Sequence, residues 1–343
     1  MARKLAWLRR LYAWILSRLP RKMFLSREYF DVYENRGWHL TPVHYYEPIP
    51  DTRKLPDHLW EGCSDLVGID MREQCQLTLL DAFSGKFGSE YTSFAREKTS
   101  DPTEFYISNS SFAPVDAAVL HCIIREFRPR KMVEIGSGMS TLVAANAIKQ
   151  NEAEFGEGCE LVAIEPYPRE YLRGGIPGLA RLISKQVQDV PLSEFTDLDR
   201  NDILFIDSSH VVRTGGDVTR EYLEILPRLT PGVLVHAHDI FFPHEYPKDW
   251  LMERHHFWTE QYLLQAFLAF NDSFEVVWGS NYMGAKHPDK TNECFPFVVM
   301  GKGGSSFWIR RRHQPSGRES HLESDHGLAD RRPVMKAGAS IRP

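Results

Sequence analysis

The chain has 343 residues, 42% of them apolar and 25% charged, an ordinary globular composition that excludes collagen-like, coiled-coil and wholly disordered architectures. No apolar run reaches the ~20 residues of a membrane span, and five scattered cysteines without a C-x-x-C argue against a disulfide framework or zinc knuckle and for a reducing, cytoplasmic compartment. The net charge of −5 is unevenly spread: residues 1–22 hold seven Lys/Arg and no acid, residues 302–343 hold nine bases and four acids, and residues 23–301 carry −17, an acidic body that argues against nucleic-acid binding.

Residues 3–19 place Leu5, Leu8, Tyr12, Ile15 and Leu19 at helical spacing, with Arg9, Arg10 and Arg18 between them. This reads as a basic amphipathic helix that Pro20 stops. A secretory signal fits poorly, because the longest uncharged apolar stretch, Leu11 to Leu16, is too short and no small-residue cleavage site follows. The pattern suits peripheral docking of residues 1–22 on an anionic membrane surface or a partner. The competing reading is a helix packed on its own domain.

Residues 23–112, rich in aromatics and prolines, read as an N-terminal extension or lid packed on the next domain. A helix is expected over 71–84, with Asp70 and Glu73 in a capping box and Met71, Cys75, Leu79 and Phe83 as its stripe. His39, His44, Tyr45 and Tyr46 are candidates to line a substrate pocket, although such residues are more often core and surface aromatics. From 113 to 312 helices and β-rich runs alternate. Helix 114–127 precedes strand 131–135, and helix 140–150 precedes strand 160–165. Strands 180–187 and 202–207 follow, then helix 216–227, strand 232–238, helix 258–270, strand 274–278 and a last strand or strands within 296–310. Such alternation predicts an α/β doubly wound, mostly parallel sheet covered on both faces. The polar, aperiodic tail 313–343 is expected to be disordered.

Ligands of doubly wound sheets bind outside the carboxyl ends of the strands, so the residues after each strand carry the argument. After the first strand comes Glu134-Ile-Gly136-Ser137-Gly138, leading into a helix. The glycines permit a tight turn, and the helix start supplies free N–H groups. A dinucleotide fingerprint wants glycine where Thr141 stands, and an acid such as Glu134 is unwelcome beside a pyrophosphate. It is favourable beside the ammonium or sulfonium of S-adenosylmethionine (SAM). Glu165, at the end of the second strand, can accept both ribose hydroxyls, and Asp189 can contact an adenine amino group.

The runs VEIGSGMST, AIEP, DILFIDSSH and PGVLVHAHDI resemble the class I SAM-dependent methyltransferases, and most of all the small-molecule O-methyltransferases of the macrocin and catechol types. The resemblance covers roughly 110–310. It implies a Rossmann-like sheet of seven strands with an antiparallel last strand. It implies SAM as methyl donor, with Gly136, Gly138 and Glu165 in its pocket and Asn109 and Ser110 toward its amino-acid end. It also implies a divalent-metal site built from an acid after the fourth strand and a polar pair after the fifth. Here these are Asp207 and His238-Asp239, where relatives more usually carry Asp-Asn or Glu-Asp. Two carboxylates with one imidazole suit Mn²⁺ or Fe²⁺ better than Mg²⁺. His210 is then the candidate general base, with Asp207 and His238 beside it. The function so implied is methyl transfer to a hydroxyl of a natural product or sugar. Cephalosporin-hydroxylase-like chemistry on the same fold, or a non-catalytic subunit recruited to a membrane assembly, are the alternatives.

Overall fold

The computed structural model describes residues 2–18, 20, 26–297 and 303–313. The tail expected to be disordered lies, apart from its first residue, outside the described residues. The heart of the fold is a seven-stranded sheet: β1 (Lys131–Ile135), β2 (Glu160–Ile164), β3 (Leu179–Ile183), β4 (Ile203–Ile206), β5 (Leu234–Ala237), β6 (Phe274–Gly279) and β7 (Phe307–Arg311). Their order is β3-β2-β1-β4-β5-β7-β6. β1 to β5 pair in parallel, and β7 runs antiparallel between β5 and β6. This is the Rossmann-like architecture expected, with the chain's return placing the switch point between β1 and β4.

The central strands read as unbroken apolar runs because helices cover both faces. Met132, Val133, Leu161, Val162, Leu204 and Leu234 are fully buried. Of the flanking helices, Pro114–Phe127 buries every residue from Val115 to Arg125. The helix expected over 140–150 runs from Met139 to Phe155, so it extends five residues further than expected. The segment 216–227 is not one α-helix. An α-turn at Asp217–Arg220 widens into a π-helical turn at Glu221–Ile225 and closes as a 3-10 turn at Leu226–Arg228. Pro227 has no N–H for the carbonyl of Leu223, which removes the bond that would continue the α-ladder. Helices Ser280–Lys286 and Pro288–Cys294 were not expected.

The helix of the extension begins at Glu73 and continues to Thr92, later and longer than expected. Arg72 adopts the left-handed conformation (φ 49°), and the Asp70 carboxylate accepts from the Arg72 amide, so the capping box does not form. Glu73 instead accepts from the Tyr282 hydroxyl. The buried stripe is Gln76, Leu80, Phe83, Phe87 and Tyr91, while Cys75 is exposed. A buried knot fixes this helix to the sheet domain. Arg125 donates to Glu90, Asn151 and Glu154, and His121 Nε2 lies 2.7 Å from Glu90. The N-terminal helix Ala2–Ser17 forms as expected. Trp7, Leu8, Tyr12, Trp14 and Ile15 on it are exposed, so these side chains do not pack on the domain. No helix of the described residues is long and apolar enough to cross a membrane.

Candidate active site

The two strand ends that meet at the switch point touch closely. A Cβ on Gly136 would lie 1.8 Å from the Asp207 carbonyl oxygen, and Gly136 has φ 80°. Glycine is therefore required there to let β1 and β4 converge. The loop is locked from behind: Gly138 donates to Thr141 Oγ1 at 3.0 Å, so Thr141 does a local capping job where a dinucleotide site would hold glycine. Beside this turn lies a cavity of about 280 Å³ lined by Gly136, Glu165, Tyr167, Gln186, Gln188 and Asp207, among others. Glu165 is fixed at its mouth by accepting from the Tyr167 amide at 2.8 Å and the Ser137 amide at 3.4 Å.

Several expected cofactor residues take other places. Glu134 is fully buried beneath the loop and does not line the cavity; it accepts from Ser140 Oγ at 2.6 Å. Burial, together with the charges of Asp207 and Glu165, pushes its carboxyl up to about 8 despite the bonds from Ser140 and Thr141. Asp189 is exposed and off the cavity wall, where Gln186 and Gln188 stand instead. Asn109 is consumed by its own turn: its amide donates to the Tyr106 and Phe112 carbonyls and its oxygen accepts from the Ser111 and Phe112 amides. His39, His44, Tyr45 and Tyr46 stack on surface neighbours or one another, with both tyrosines 80% exposed.

The residues after β4 and β5 do converge. His238 Nδ1 lies 3.5 Å from Asp207 Oδ1 and 3.4 Å from Asp239 Oδ2. One ligand atom from each of the three lies within 4.8 Å of the others, a spacing that could hold a metal ion. His210 joins them, its Nε2 3.3 Å from Asp207 and 3.7 Å from Asp239. His210 and Asp239 both have positive φ, 60° and 55°. Strained backbone of this kind persists where the surroundings over-determine it, often at functional sites.

A second layer of buried acids orients the imidazoles. Glu260, fully buried, lies 2.8 Å from His210 Nδ1 and accepts from Tyr222 at 2.9 Å. Asp116, also fully buried, lies 3.7 Å from His238 Nε2 and accepts from Ser280 and from the amides of Ser305 and Ser306. Gly304 is needed for this, since a Cβ there would fall 2.0 Å from Asp116 Oδ1. Ser305 Oγ donates to Asp239 at 2.8 Å. Neither Asp116 nor Glu260 stood out in the sequence. The available signal was an acid set among apolar residues of a helix, in PVDAAVL and in WTEQYLL.

Electrostatics follow from this packing. Burial would raise the Asp207 carboxyl, but the His238 and His210 imidazoles hold it well below the usual carboxylate range. Burial would lower His210, but Asp207 and Glu260 push it up to about 10. His238 is raised by Asp239 and Asp207 against the same penalty. An aromatic wall closes one side. Trp258 lies 4.4 Å from the His210 ring and packs on Trp250, Tyr246 and His256.

Comparison with known proteins places this geometry. Residues 133–240, which span the glycine turn, Glu165, Asp207, His210 and the His238-Asp239 pair, match the methyltransferase-domain family. An uncharacterized protein of Archaeoglobus fulgidus is 35% identical over 170 residues, 47% of this chain and 74% of the archaeal one. Solved structures similar to this chain include the plantazolicin methyltransferase BpumL in complex with a desmethylPZN analog and SAH (10% identity, TM-score 0.40, 71% of this chain and 100% of that one). Another is phosphoethanolamine N-methyltransferase 2 of Haemonchus contortus in complex with SAM (13% identity, TM-score 0.32, 57% and 52%). The chain belongs to the same family as the archaeal protein, and its residues 133–240 are similar to the methyltransferase-domain family.

Proposed function

We propose that the protein transfers a methyl group from SAM to a hydroxyl of a small molecule, assisted by a divalent cation. One observation carries this reading. Asp207 is shared: it lines the cavity beside the glycine turn and belongs to the Asp/His cluster, so a donor pocket and a reaction centre meet at a single carboxylate.

The residues present fit the donor. Glu165 lines the cavity and, beyond the Tyr167 and Ser137 amides, has lone pairs for ribose hydroxyls; Gln186 and the oxygen of Gln188, whose amide nitrogen donates to the Gly215 carbonyl, suit a base edge; and Ser137 Oγ is buried without a partner in the turn. Bound there, SAM supplies an electrophilic methyl on a sulfonium. The cluster likewise fits a cation: His238 Nδ1 and Nε2 are buried without hydrogen-bond partners, and each imidazole has a carboxylate at its far side, as metal-bound histidines usually do. A cation held by Asp207, His238 and Asp239 would lower the pKa of an acceptor hydroxyl.

The protein's own residues do the rest. Glu260 fixes the His210 ring so that Nε2 faces the two aspartates, where an acceptor's proton would be taken. His210 acts as base only once the charge of Asp207 and Asp239 is offset, because with Glu260 they hold its proton. Trp258 and its neighbours offer a flat apolar face to the acceptor and exclude water. The exposed aromatic face and basic residues of the first 22 residues suit peripheral contact with an anionic membrane.

Calorimetry with SAM and with NADP tests the donor, followed by methyl transfer from labelled SAM to a pool of hydroxylated natural products and sugars. SAM binding near the micromolar range, about −8 kcal/mol, is expected. Tight NADP binding without SAM binding refutes the reading.

A further inference from the structure

Because β7 is antiparallel, its carboxyl end reaches the edge of the sheet where the parallel strands begin, opposite the Asp207 cluster. Arg310, Arg311 and Arg312 arrive there beside the turns that start β4 and β5. Gly232 donates to the Arg311 carbonyl at 2.7 Å, and Asn201 donates to the Gly232 carbonyl at 3.0 Å. A Cβ on Gly232 would lie 2.7 Å from Arg200 Cγ, so the glycine leaves room for the Arg200 stem to lie across the turn. Between these elements is a cavity of about 240 Å³ lined by Arg200, Asn201, Gly232, Glu275, Arg310, Arg311, Arg312 and His313.

Four guanidinium groups and one carboxylate share that wall, and the carboxylate is already engaged. Glu275 lies 3.1 Å from Arg72 and 3.5 Å from Arg312. Two of the other arginines are held by rings: Arg310 lies 4.7 Å from the Phe127 ring centre and Arg311 5.1 Å from that of Phe274. Stacking fixes the guanidinium planes; Arg311 Nη1 donates to the Ser273 carbonyl at 3.4 Å, while other N–H groups are left unsatisfied. Nε and Nη2 of Arg310 and Nε of Arg311 are buried with no hydrogen-bond partner. These three nitrogens are closed off from bulk solvent, so bulk water does not reach them. Buried donors without partners are rare and costly, and an unseen ion is a standard resolution. Burial and the neighbouring charges of Arg200 and Arg72 disfavour the Arg310 cation, against the pull of Glu275, so an added negative charge would be welcome.

We propose that this cavity binds a phosphate group, either free or as a phosphomonoester. A tetrahedral dianion offers acceptor oxygens in several directions at once, matching guanidinium groups that line one cavity from the turn before β4 and from the end of β7. The site is remote from the methyltransferase centre and independent of the function proposed for it.

The test is calorimetric titration of the full chain with inorganic phosphate and pyrophosphate at low ionic strength, beside Arg200→Ala, Arg312→Ala and Arg310→Met. Circular dichroism and a thermal melt of each variant report that it is folded. If Arg310→Met fails to fold, Arg200→Ala and Arg312→Ala decide, as their side chains lie toward the surface. Millimolar or tighter phosphate binding is expected, weakened about tenfold by each substitution, the value of one charge-assisted bond. Displacement of bound phosphate by phosphatidic-acid vesicles, and not by phosphatidylcholine vesicles, assigns the group to a lipid headgroup. Binding indifferent to both assigns it to a soluble phosphate. No phosphate binding by the wild type, or equal affinity in Arg200→Ala and Arg312→Ala, overturns the proposal.

Discussion

Replacing Glu165 separates the donor pocket from its neighbours most cleanly. One oxygen accepts from the Tyr167 amide at 2.8 Å and the other is 3.4 Å from the Ser137 amide, leaving lone pairs directed at the cavity. Glu165→Ala removes a charged acceptor from a polar pocket, a loss of about 1.5–3 kcal/mol. The Kd for SAM should therefore rise roughly 10- to 150-fold. Glu165→Gln keeps an oxygen for Tyr167 while discarding the charge, so it should fall between wild type and Ala. Asp189, exposed and off the cavity wall, serves as the internal control: Asp189→Ala should leave the Kd within about twofold, as surface changes usually do. Gln188→Ala should weaken binding by about 1 kcal/mol, the worth of a neutral hydrogen bond. Isothermal titration of the four variants measures all of this. Unchanged binding in Glu165→Ala, or a larger loss in Asp189→Ala than in Glu165→Ala, would refute the assignment.

The Asp/His cluster predicts that the chain takes up Mn²⁺, visible by calorimetry and by loss of the free-ion electron paramagnetic resonance signal. Asp207→Asn and Asp239→Asn should abolish uptake, Asp116→Asn should weaken it about 10- to 100-fold as the loss of the partner behind His238 does, and undiminished uptake in all three would remove the metal site. Acid stability follows from Glu90, whose carboxyl would be raised by burial but is held down at about 2 by His121 and Arg125. A lowered folded-state pKa contributes stability that is complete above the unfolded value near 4.5 and is lost as pH falls toward 2. Since Glu90 is partly exposed, Glu90→Gln should cost about 2 kcal/mol in denaturant melts at pH 7 and little at pH 2; a pH-independent cost would contradict the ion-pair account. Full-length protein should bind anionic vesicles at low salt, and deleting residues 1–22 should abolish this while SAM binding survives. Indifference of the full chain to such vesicles would exclude membrane contact.

What was legible in the sequence were features whose cause is local. KMVEI, DILFID and GVLVHAH announce strands because residues buried on both faces must be apolar throughout, and Asp207 and His238-Asp239 follow from being next after those strands. Properties set by tertiary contact were not legible. Glu134 stands two residues before a glycine, as a cofactor-facing acid would, yet strand alternation turns it under the loop to hold Ser140. Asn109 carries the groups a ligand would want, but its turn uses them all. Glu260 and Asp116 lie 50 or more positions from the histidines they orient, and only the folded chain joins them. The N-terminus of the helix at 73 depended on one residue, Arg72, entering the left-handed region against its ordinary preference.

Histidine at 238, where the resemblance to O-methyltransferases leads to the expectation of an acid, has a cause in the layer beneath it. Asp116 is fully buried below His238; burial would raise its carboxyl, but the His238 imidazole, helped by the Ser305 and Ser306 amides, holds it below the usual carboxylate range. Above His238 stand Asp207 and Asp239. A carboxylate at 238 would face three others, and each like-charged pair at about 4 Å repels by roughly 4 kcal/mol at the effective dielectric of such a site. Imidazole reverses the sign of those terms when protonated and removes them when neutral, and it keeps a nitrogen toward each neighbour. His210 does the same between Glu260 on one side and Asp207 and Asp239 on the other. Two imidazoles therefore space four carboxylates that could not otherwise be buried together. Of the four, Asp207 and Asp239 alone are not fully buried, and Asp207 lines the cavity, so it is beside these two that a cation or an acidified acceptor proton would be stabilised.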